Sequence, residues 1–390
     1  MRLMSTEWAR PVAPPPRGTR PRNRRQLIIT AAADLFVTKG YAQVSMADVA
    51  EAVAVGPSAL YRHFRSKDDL LFEVVRAALH AIAETVRELR GPADLAAAAL
   101  THRRLGVLWQ RESRRLPSER REVLRAELVE ISRSVCKFVA SRRPDLPEDD
   151  VEVIAWAILA AVTSLSFQRI ELETDEYREL LTAIVEDVIR VRLDEPLPAL
   201  APPPMGTPDD RRAELIDAAG KLFAERGYHT VGVDDVGAAV GIAGPSIYHH
   251  FATKLDLMMA VMHNGTETLL AATDGAVTDA ADDRARLEGL ARSYAGFCFA
   301  HSEIVDVLVT ETAGLPQESR DEMLRAQRAY RDRWLQPLAR LYPDRPKAHS
   351  RVRLQAALNL INDIARTPHL RARSRTADLV ATIGLAVVAG

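Results

Sequence analysis

The chain has 390 residues, and 47% of them are hydrophobic, which suits two or three globular domains with apolar cores. Its formal net charge of −1 excludes a global attraction to nucleic acid or acidic lipid, so only local charge can indicate such partners. We find no apolar run of the roughly 20 residues that span a bilayer, no apolar signal-peptide core and too few cysteines for a disulfide framework, so we expect a soluble cytoplasmic protein.

Residues 1–22 are Pro-rich and basic, a composition typical of a disordered arm. Five arginines are interpreted as an arm just ahead of the first helix, which is expected to grip phosphates or enter a minor groove. They are Arg17, Arg20, Arg22, Arg24 and Arg25.

Apolar residues then recur at helical spacing nearly everywhere, as in Ile28, Ala31, Ala32, Leu35 and Phe36. Sustained two-residue alternation and Asn-Gly or Asp-Gly hairpins are missing from the sequence. We therefore predict an all-α fold.

The first predicted helix, Arg24–Lys39, ends at Gly40, a residue typical of helix ends. A short helix, Met46–Val53, follows a capping box in which Ser45 is the cap and Asp48 stands three residues later.

A three-residue turn beginning at Ala54 leads to a second short helix, Pro57–Phe64, with proline in its favoured first position. Val49, Val53, Val55 and Leu60 are expected to pack between the two helices. Such a pair predicts a helix-turn-helix, whose second helix fits the major groove of DNA.

Small, polar and basic residues on this unit are candidates for contact with base edges and phosphates, because such side chains approach DNA closely. The candidates are Ser45, Pro57, Ser58, Ala59, Tyr61, Arg62, His63 and Lys67. Lys67 starts the next helix, whose N-terminus also attracts a phosphate. Core packing is the alternative for Tyr61 and His63, and it is our interpretation of Phe64.

The unit occurs twice. Ile28–Val75 aligns with Leu215–Met262 without a gap, and nineteen of these 48 positions are identical. With two copies, the chain is a fused pair and not a solenoid. The second predicted head begins with a helix at Arg211–Arg226, and its candidate DNA contacts are Gly244, Pro245, Ser246, Tyr248, His249, His250 and Lys254.

The segments "LFVTKGY", "VSMADVAEAV" and "LYRHFRSKDDL", in this order and with a second copy of each, resemble the TetR family of bacterial transcriptional regulators. The resemblance implies DNA binding by each head and a helical domain for effector binding and dimerisation. The doubled arrangement is similar to actinobacterial tandem regulators of lipid or sterol uptake operons of the mammalian-cell-entry type. Two positions depart from the pattern: Ala54 replaces the usual turn glycine, which Gly241 keeps, and Gly232 replaces the capping Ser45.

Charge differs between the copies. Residues 1–67 contain eleven Lys/Arg and four Asp/Glu, whereas residues 208–257 contain five Lys/Arg and eight Asp/Glu. Since affinity for DNA rises with the number of neutralised phosphates, we expect the first head to supply most of the affinity. The sharper alternative is that the second head no longer binds DNA.

Six prolines between Asp194 and Asp210 predict an extended linker between the halves. The late helices of both halves are apolar enough to pair as an intramolecular four-helix bundle, which would make the chain a covalent pseudo-dimer. They are Val151–Ile170, Tyr177–Leu193, Arg351–Thr367 and Thr376–Ala389. The sequence leaves open whether the chain also forms a homodimer.

We thus divide the chain into a basic arm, two heads, two helical effector and dimerisation domains, and a linker. The predicted ranges are 1–22 for the arm, 23–70 and 210–257 for the heads, 71–195 and 258–390 for the helical domains, and 196–209 for the linker.

In this family a ligand in the helical domain changes the spacing of the heads, so the resemblance implies an effector. Aromatic residues of the helical domains make a lipid, a sterol or an acyl thioester the expected class, although each residue also suits an ordinary core. The candidates are Trp109, Phe138, Trp156 and Phe167 in the first half, and Phe297, Phe299 and Trp334, with Leu358, in the second. Gln110, Arg111 and Glu112 are candidates for its polar end or for plain surface.

An enzyme is the first rival hypothesis, but the sequence contains no phosphate-binding glycine loop, metal-spaced Cys/His cluster or nucleophile elbow. We expect no catalytic residues, no cofactor and no metal. A protein-binding scaffold that has lost DNA binding, and a redox sensor using Cys136 or Cys298, are the other rivals.

Overall fold

A computed structural model of the chain describes residues 24–167, 172–203 and 211–390. Their regular secondary structure is helical throughout, with no strand in these three ranges, so the predicted all-α fold is confirmed. The predicted arm, with Arg17, Arg20 and Arg22, and the last part of the predicted linker lie outside the described residues.

The first of two compact units contains residues 24–90 and 97–135. Its helices are α1 (Arg24–Lys39), α2 (Met46–Ala52), α3 (Pro57–Tyr61), α4 (Lys67–Arg87), the end of α5 (Pro92–Thr101), α6 (Leu105–Val107), which continues as a π-helical turn (Leu108–Glu112), and most of α7 (Ser118–Arg142). Helix α4 packs against α1, α6 and the π-helical turn through an apolar face.

The second unit contains residues 91–96 and 136–390. Its helices include α8 (Glu148–Thr163), α9 (Thr174–Arg190), α10 (Arg211–Arg226), α11 (Val233–Ala239), a 3₁₀ segment (Gly244–His249), α12 (Lys254–Val277), α13 (Asp283–Ala300), α14 (Ser302–Glu311), α15 (Gln317–Leu341), α16 (Lys347–Ala365), α17 (Pro368–Arg371) and α18 (Thr376–Ala389). The compact units therefore do not follow the sequence repeat, because the late helices of the first half belong with the whole second half.

The predicted four-helix bundle is present within this second unit. Helix α16 packs against α8 and α18, and α9 completes the bundle against α8 and α18. The faces in contact are apolar, and residues such as Ile158, Ile184, Ile361 and Ile383 are fully buried.

One segment among the described residues, helix α8 with the turn after it, has the length and composition of a membrane span. Glu148–Phe167 is long and apolar enough to cross a membrane by length and composition, because its acids lie only near its beginning. However, 72% of its most apolar window is buried inside the protein, as in the core helix of a bundle.

The described part of the linker is extended and bound to the second half. The Leu197 amide donates to Thr382 Oγ1 and the Ala199 amide to Asp378 Oδ1, both at 2.8 Å. Leu200 donates to the Arg292 carbonyl, and a β-carbon on Gly296 would overlap the Leu200 carbonyl. This segment therefore lies as a strap across α13 and α18, held by backbone hydrogen bonds.

Candidate nucleic-acid interface

Helix α3, the candidate recognition helix of the first head, buries one face and exposes the other. Leu60 is fully buried and Phe64, just beyond the helix, is 3% exposed, whereas Tyr61 is 53% exposed. Ser58, Arg62 and His63 are exposed as well. Phe64 is thus a core residue as expected, while Tyr61 and His63 do not pack inside the head. The helix ends at Tyr61, earlier than predicted, because the amides of His63 and Phe64 both bond to the Leu60 carbonyl.

The preceding helix, α2, begins with the predicted capping box. Ser45 Oγ accepts from the Asp48 amide at 3.1 Å, and Asp48 Oδ2 accepts from the Ser45 amide at 2.7 Å. The hydrogen bonds from the Ser45 hydroxyl and amide lower the pKa of the Asp48 carboxyl below its ordinary value. The turn after α2 contains Ala54 at φ +52°, in the left-handed region that favours glycine.

Lys67 starts α4 as predicted, but its ammonium group has partners inside the head. Nζ donates to the carbonyls of Tyr41 and Val44, each at 2.9 Å, and lies 4.1 Å from the centre of the Tyr41 ring. Partial burial lowers the pKa of Lys67 below its usual value. Lys67 therefore joins the loop after α1 to the start of α4, a structural contact that the sequence did not reveal.

Arg24 and Arg25 are the first residues of α1 and not part of an arm ahead of it, so that interpretation is corrected. The Arg25 guanidinium lies over the Phe64 ring, 5.2 Å from its centre, and pairs with Glu73 at 2.6 Å. Arg25 thus supports the end of the recognition helix while remaining about half exposed.

The second head repeats this arrangement. Ile247 and Phe251 are buried, whereas Tyr248 is 53% exposed, the same fraction as its equivalent Tyr61. Lys254 Nζ donates to the Tyr228 carbonyl and also lies over the Tyr228 ring, as Lys67 lies over the Tyr41 ring. The Arg212 guanidinium lies 4.8 Å from the centre of the Phe251 ring. Pro245, His249 and His250 are exposed, and Ser246 is half-buried.

The second recognition segment differs in its helix type. Gly244 occupies the position of Pro57, and the proline follows one residue later as Pro245. Gly244 packs so closely on α11 that a β-carbon there would overlap the Asp234 carboxylate. Gly237 faces the same contact, since its β-carbon would lie 3.1 Å from the backbone of Gly244. The segment is 3₁₀-helical, where the sequence had predicted a copy of the first head.

The second recognition surface also has less positive charge than the first, for two reasons. His249 and Ala252 replace the exposed Arg62 and Arg65. Asp234 replaces Ala47 and places an exposed carboxylate beside the first residue of the recognition segment. The sequence comparison had counted these charges without showing that Asp234 lies there.

In each half, a carboxylate from the helical domain also contacts the head. Glu112, on the π-helical turn, accepts from the Tyr41 amide at 3.2 Å and pairs with Arg111 at 2.9 Å. Its side chain is 3% exposed, so Glu112 is not the surface residue that the sequence allowed. Glu311 makes the corresponding, longer contact with the Tyr228 amide at 3.5 Å. The Tyr41 hydroxyl bonds to Asp68, which ties Tyr41 to α4 as well.

The aromatic residues predicted to line an effector pocket in the first half have different surroundings. The Phe138 ring lies under Arg142, Trp156 contacts the His369 ring edge-on, and Phe167 is 37% exposed. Trp109 is half-buried on the π-helical turn. Trp156 on α8 thus contacts a residue of the second half, His369 on α17.

The second half contains a buried polar cluster that the sequence did not indicate. Tyr294 donates to Asn362 Oδ1 at 2.8 Å, Cys298 contacts the same oxygen at 3.3 Å, and the Tyr294 ring stacks on Tyr330 at 5.6 Å. The predicted Trp334 lies one turn after Tyr330 and is fully buried.

Two donors in this cluster lack good partners. The Tyr330 hydroxyl lies near the Trp334 indole and the Thr273 hydroxyl. Neither the Tyr330 hydroxyl nor the Trp334 N–H, however, has a hydrogen bond of good geometry among the described residues. Of the other predicted residues, Phe297 is buried and Phe299 is half-buried.

The two thiols are poorly suited to redox sensing. Burial raises the pKa of Cys136 to about 11, and complete burial raises that of Cys298 further. Since the thiolate is the reactive form, neither environment favours oxidation.

Sequence comparison identifies both heads. Residues 28–74 and 215–261 each match the family described as "Bacterial regulatory proteins, tetR family". Similar curated proteins include the "HTH-type transcriptional activator FasR" of Mycolicibacterium smegmatis, which is 34% identical over 89 residues, covering 23% of this chain and 41% of that protein. The "HTH-type transcriptional repressor KstR2" of Rhodococcus jostii is 37% identical over 95 residues, covering 24% and 47%. The chain thus spans less than half the length of these two relatives.

Among solved structures, the ketosteroid transcriptional regulator KstR2 of Mycobacterium tuberculosis is 25% identical, with a TM-score of 0.39, over 47% of this chain and 95% of the other. The TetR family regulator PfmR of Thermus thermophilus is 21% identical, with a TM-score of 0.41, over 46% and 98%.

Proposed function

We propose that this chain, in which two TetR-type DNA-binding heads are joined, is a transcriptional regulator that binds operator DNA with both heads. The repeated exposed face carries the proposal, because Tyr61 and Tyr248 are equally exposed, each followed two residues later by an exposed histidine. Such side chains donate to phosphates and base edges. Footprinting on the promoter of the chain's own operon tests it, and absence of binding at moderate salt would favour the scaffold alternative.

The heads bind unequally in this proposal, with the first supplying most of the affinity and both reading an asymmetric or imperfectly palindromic site. Arg62 and Arg65 support this, together with the carboxylate of Asp234 on the other recognition surface. Charged contacts with phosphates make affinity depend steeply on salt.

Matched substitutions at one recognition position test the inequality. Arg62→Ala is expected to weaken operator binding and reduce the slope of log affinity against log salt by about 1. His249→Ala, at the equivalent position, should change both quantities less. Equal losses from both variants contradict the unequal heads. Lys67 and Lys254 are poorer test positions, because their substitution would also disturb the internal contacts of each head.

Regulation in this proposal is repression that a lipophilic effector relieves. The named relatives include an activator and a repressor, so a promoter–reporter assay in the presence and absence of the gene decides the direction. We extend the proposal to a lipid or sterol uptake operon of the mammalian-cell-entry type, and to a cytoplasmic location, on the resemblance and on the access to DNA that a regulator needs.

The buried cluster of the second half supports an effector with a hydrogen-bond acceptor at one end of an apolar body. The fully buried Trp334 provides apolar surface in this cluster, and the Tyr330 hydroxyl and Trp334 N–H are donors without good partners among the described residues. A buried donor without a partner destabilises a protein by about 1–3 kcal/mol, so an acceptor oxygen placed there gains that energy on binding.

Titration with a sterol ketone and with a long-chain acyl-CoA, followed by tryptophan fluorescence and release from DNA, tests the effector class. Tyr330→Phe is expected to weaken binding of the active compound by about tenfold, the effect of one hydrogen bond. Tyr342→Phe, at the end of α15, is the matched control. If neither compound binds, or if both variants behave alike, the cluster is not the effector site.

A further inference from the structure

The two central helices of the bundle are equivalent in sequence but carry opposite charge near their N-termini. Pro147 and Pro346 cap α8 and α16, and aligning these prolines pairs the two late segments to their ends without a gap. The first turns then read "EDDVEV" and "KAHSRV". In this alignment Asp150 is equivalent to His349, and Glu176 to Arg375.

These four residues form two acid–base contacts between the halves, one an arginine–carboxylate ion pair and one a histidine–carboxylate hydrogen bond. Asp150 pairs with Arg375 at 3.0 Å, and Glu176 pairs with His349 at 2.7 Å. Each pair joins the same two alignment positions, so the pairs are related by the pseudo-two-fold relation between the halves. In both, the first half supplies the acid and the second half supplies the base.

Self-pairing would bring acid against acid, or base against base, at both places. In a two-fold interface, residue i contacts residue j and residue j contacts residue i. If two first halves paired in this way, Asp150 would meet Glu176 twice. If two second halves paired, His349 would meet Arg375 twice.

The more deeply buried ion pair of Arg353 with Asp187 also disfavours pairing of two second halves. Arg353, whose side chain is 8% exposed, pairs with Asp187 at 2.6 Å and also donates to the Val387 carbonyl. The equivalents of Arg353 and Asp187 are Ile154 and Ala386. Pairing of two second halves would leave Arg353 opposite Ala386, and a buried charge without a counter-charge is strongly unfavourable.

Glu152 extends the polarity along α8. It accepts from Arg373 at 2.6 Å and from His369 at 3.0 Å, and both bases again come from the second half. The apolar core of the bundle has no such direction, because aliphatic contacts do not depend on which half supplies them. Discrimination between partners therefore depends on these charges, since like-charge contacts disfavour a wrong partner.

We infer that the bundle is a polarised interface in which the first half of a chain binds a second half in preference to another first half. The acids of α8 and α9 fit a basic partner, and within one chain that partner is always present at high effective concentration. One chain is therefore a complete two-headed unit. This inference goes beyond the proposed function and holds whatever the heads bind.

Charge reversal in the full chain tests the polarity. Asp150→Lys with Glu176→Lys places bases opposite bases and is expected to lower the melting temperature by several degrees. His349→Glu with Arg375→Glu should do the same with acids. The chain with all four substitutions should recover at least half of the loss, because both pairs are restored with reversed polarity. If the melting temperature of the fourfold variant falls by the sum of the decreases in the two double variants, the inference is overturned.

Asp175→Lys with Glu179→Lys is the matched control for this series, because it makes the same charge change on exposed residues of α9. It is expected to leave the melting temperature nearly unchanged. A loss as large as that of the interface variants would show that net charge, and not pairing, is responsible.

Cross-linking tests partner choice directly, even if a charge variant folds poorly. Asn359 donates to the carbonyl of its own equivalent, Ala160, at 2.7 Å, so the two residues face each other near the pseudo-two-fold axis. Ala160→Cys with Asn359→Cys is expected to give an oxidised monomer with an internal cross-link. Ala160→Cys alone is expected to stay monomeric on a non-reducing gel, and so is the unsubstituted chain. A disulfide-linked dimer formed through the single Cys at 160 overturns the inference.

Discussion

Ala54 and its equivalent Gly241 both adopt a left-handed backbone conformation, which is less favourable for alanine than for glycine. Ala54 adopts φ +52°, while Gly241 adopts φ +73° with open space where a β-carbon would lie. A left-handed conformation costs an L-residue roughly 1–2 kcal/mol, partly offset by the flexibility of glycine. The first head therefore contains a strained turn that the second head avoids.

We predict that Ala54→Gly stabilises the first head by about 1 kcal/mol, because the strain is relieved with no loss of packing. Gly241→Ala should destabilise the second head by a similar amount. Hydrogen exchange of the amides flanking each turn measures the two effects separately. Opposite signs are expected, and a loss of protection in both variants contradicts the strain argument.

Glu152 links the bundle to pH. Burial by itself raises the pKa of its carboxyl, but the hydrogen bonds from Arg373 and His369 outweigh burial and hold the pKa below its ordinary value. A carboxyl whose pKa is lowered by folding contributes stability above its unfolded pKa, which is about 4.3 for glutamate, and that contribution is lost as the pH falls through the folded value.

We predict that Glu152→Gln lowers the melting temperature at neutral pH and flattens its decline below about pH 4.3, since the titrating group is gone. Melting temperatures measured over a pH series give both quantities. Glu179→Gln, on an exposed part of α9, should leave the profile of the unsubstituted chain unchanged. If the melting temperature of the Glu152 variant falls at low pH as steeply as that of the unsubstituted chain, other groups cause the decline.

At the scale of elements, the π-helical turn is a direct link between the first helical domain and its head. Glu112 holds the Tyr41 amide, and Tyr41 in turn contacts Lys67 and Asp68 at the start of α4. A movement of this turn would therefore be transmitted to the helix that follows the recognition helix, through residues in direct contact.

We predict that Glu112→Gln destabilises the first unit by about 2 kcal/mol, because a buried hydrogen bond to a charged group is weakened and Arg111 loses its partner. Glu311→Gln should have a smaller effect, as its contact with the Tyr228 amide is longer. Urea unfolding with the two variants side by side measures the difference. A larger loss from the Glu311 variant would contradict this assignment.

Asp234 and its equivalent Ala47 can each be replaced by the residue that the other head carries. Asp234→Ala is expected to strengthen operator binding through the second head, because it removes an anion beside the segment that would face phosphate in the proposed complex. Ala47→Asp should weaken binding through the first head for the same reason. Operator titrations at two salt concentrations measure both effects. If neither exchange changes affinity, these positions lie away from the DNA.

Local patterns predicted much of this architecture. The bounds of α1, α10 and α18 agree with the prediction at both ends, because helical periodicity and stops such as Gly40 are properties of short segments. The exposed face of α3 followed from its small and polar residues, such as Ser58 and Arg62. Contacts between distant segments were not predictable in this way, including Glu112 with Tyr41 and Asp150 with Arg375. The 3₁₀ segment of the second head was not predicted either. The proline shift from the position of Pro57 to Pro245 is visible in the sequence, but the close packing of Gly244 on α11 that accompanies it is not.

For the whole molecule, we predict that operator occupancy rises with the first power of chain concentration, because both heads arrive together. A regulator assembled from separate subunits shows a steeper rise near its dissociation constant, since assembly depends on concentration. Fluorescence anisotropy on the footprinted site, with the stoichiometry measured by sedimentation, checks this. Two chains per site, or a clearly steeper curve, would contradict it.

The strap that ties the linker to α13 and α18 has a genetic consequence. In a regulator built from separate subunits, a mutant subunit with a damaged head enters mixed oligomers and spoils them, which makes the mutation dominant. Here both heads are translated as one product, and the strap and the bundle join them within that product. A damaged copy therefore leaves an intact copy in the same cell unspoiled, and head mutations of this protein are expected to be recessive.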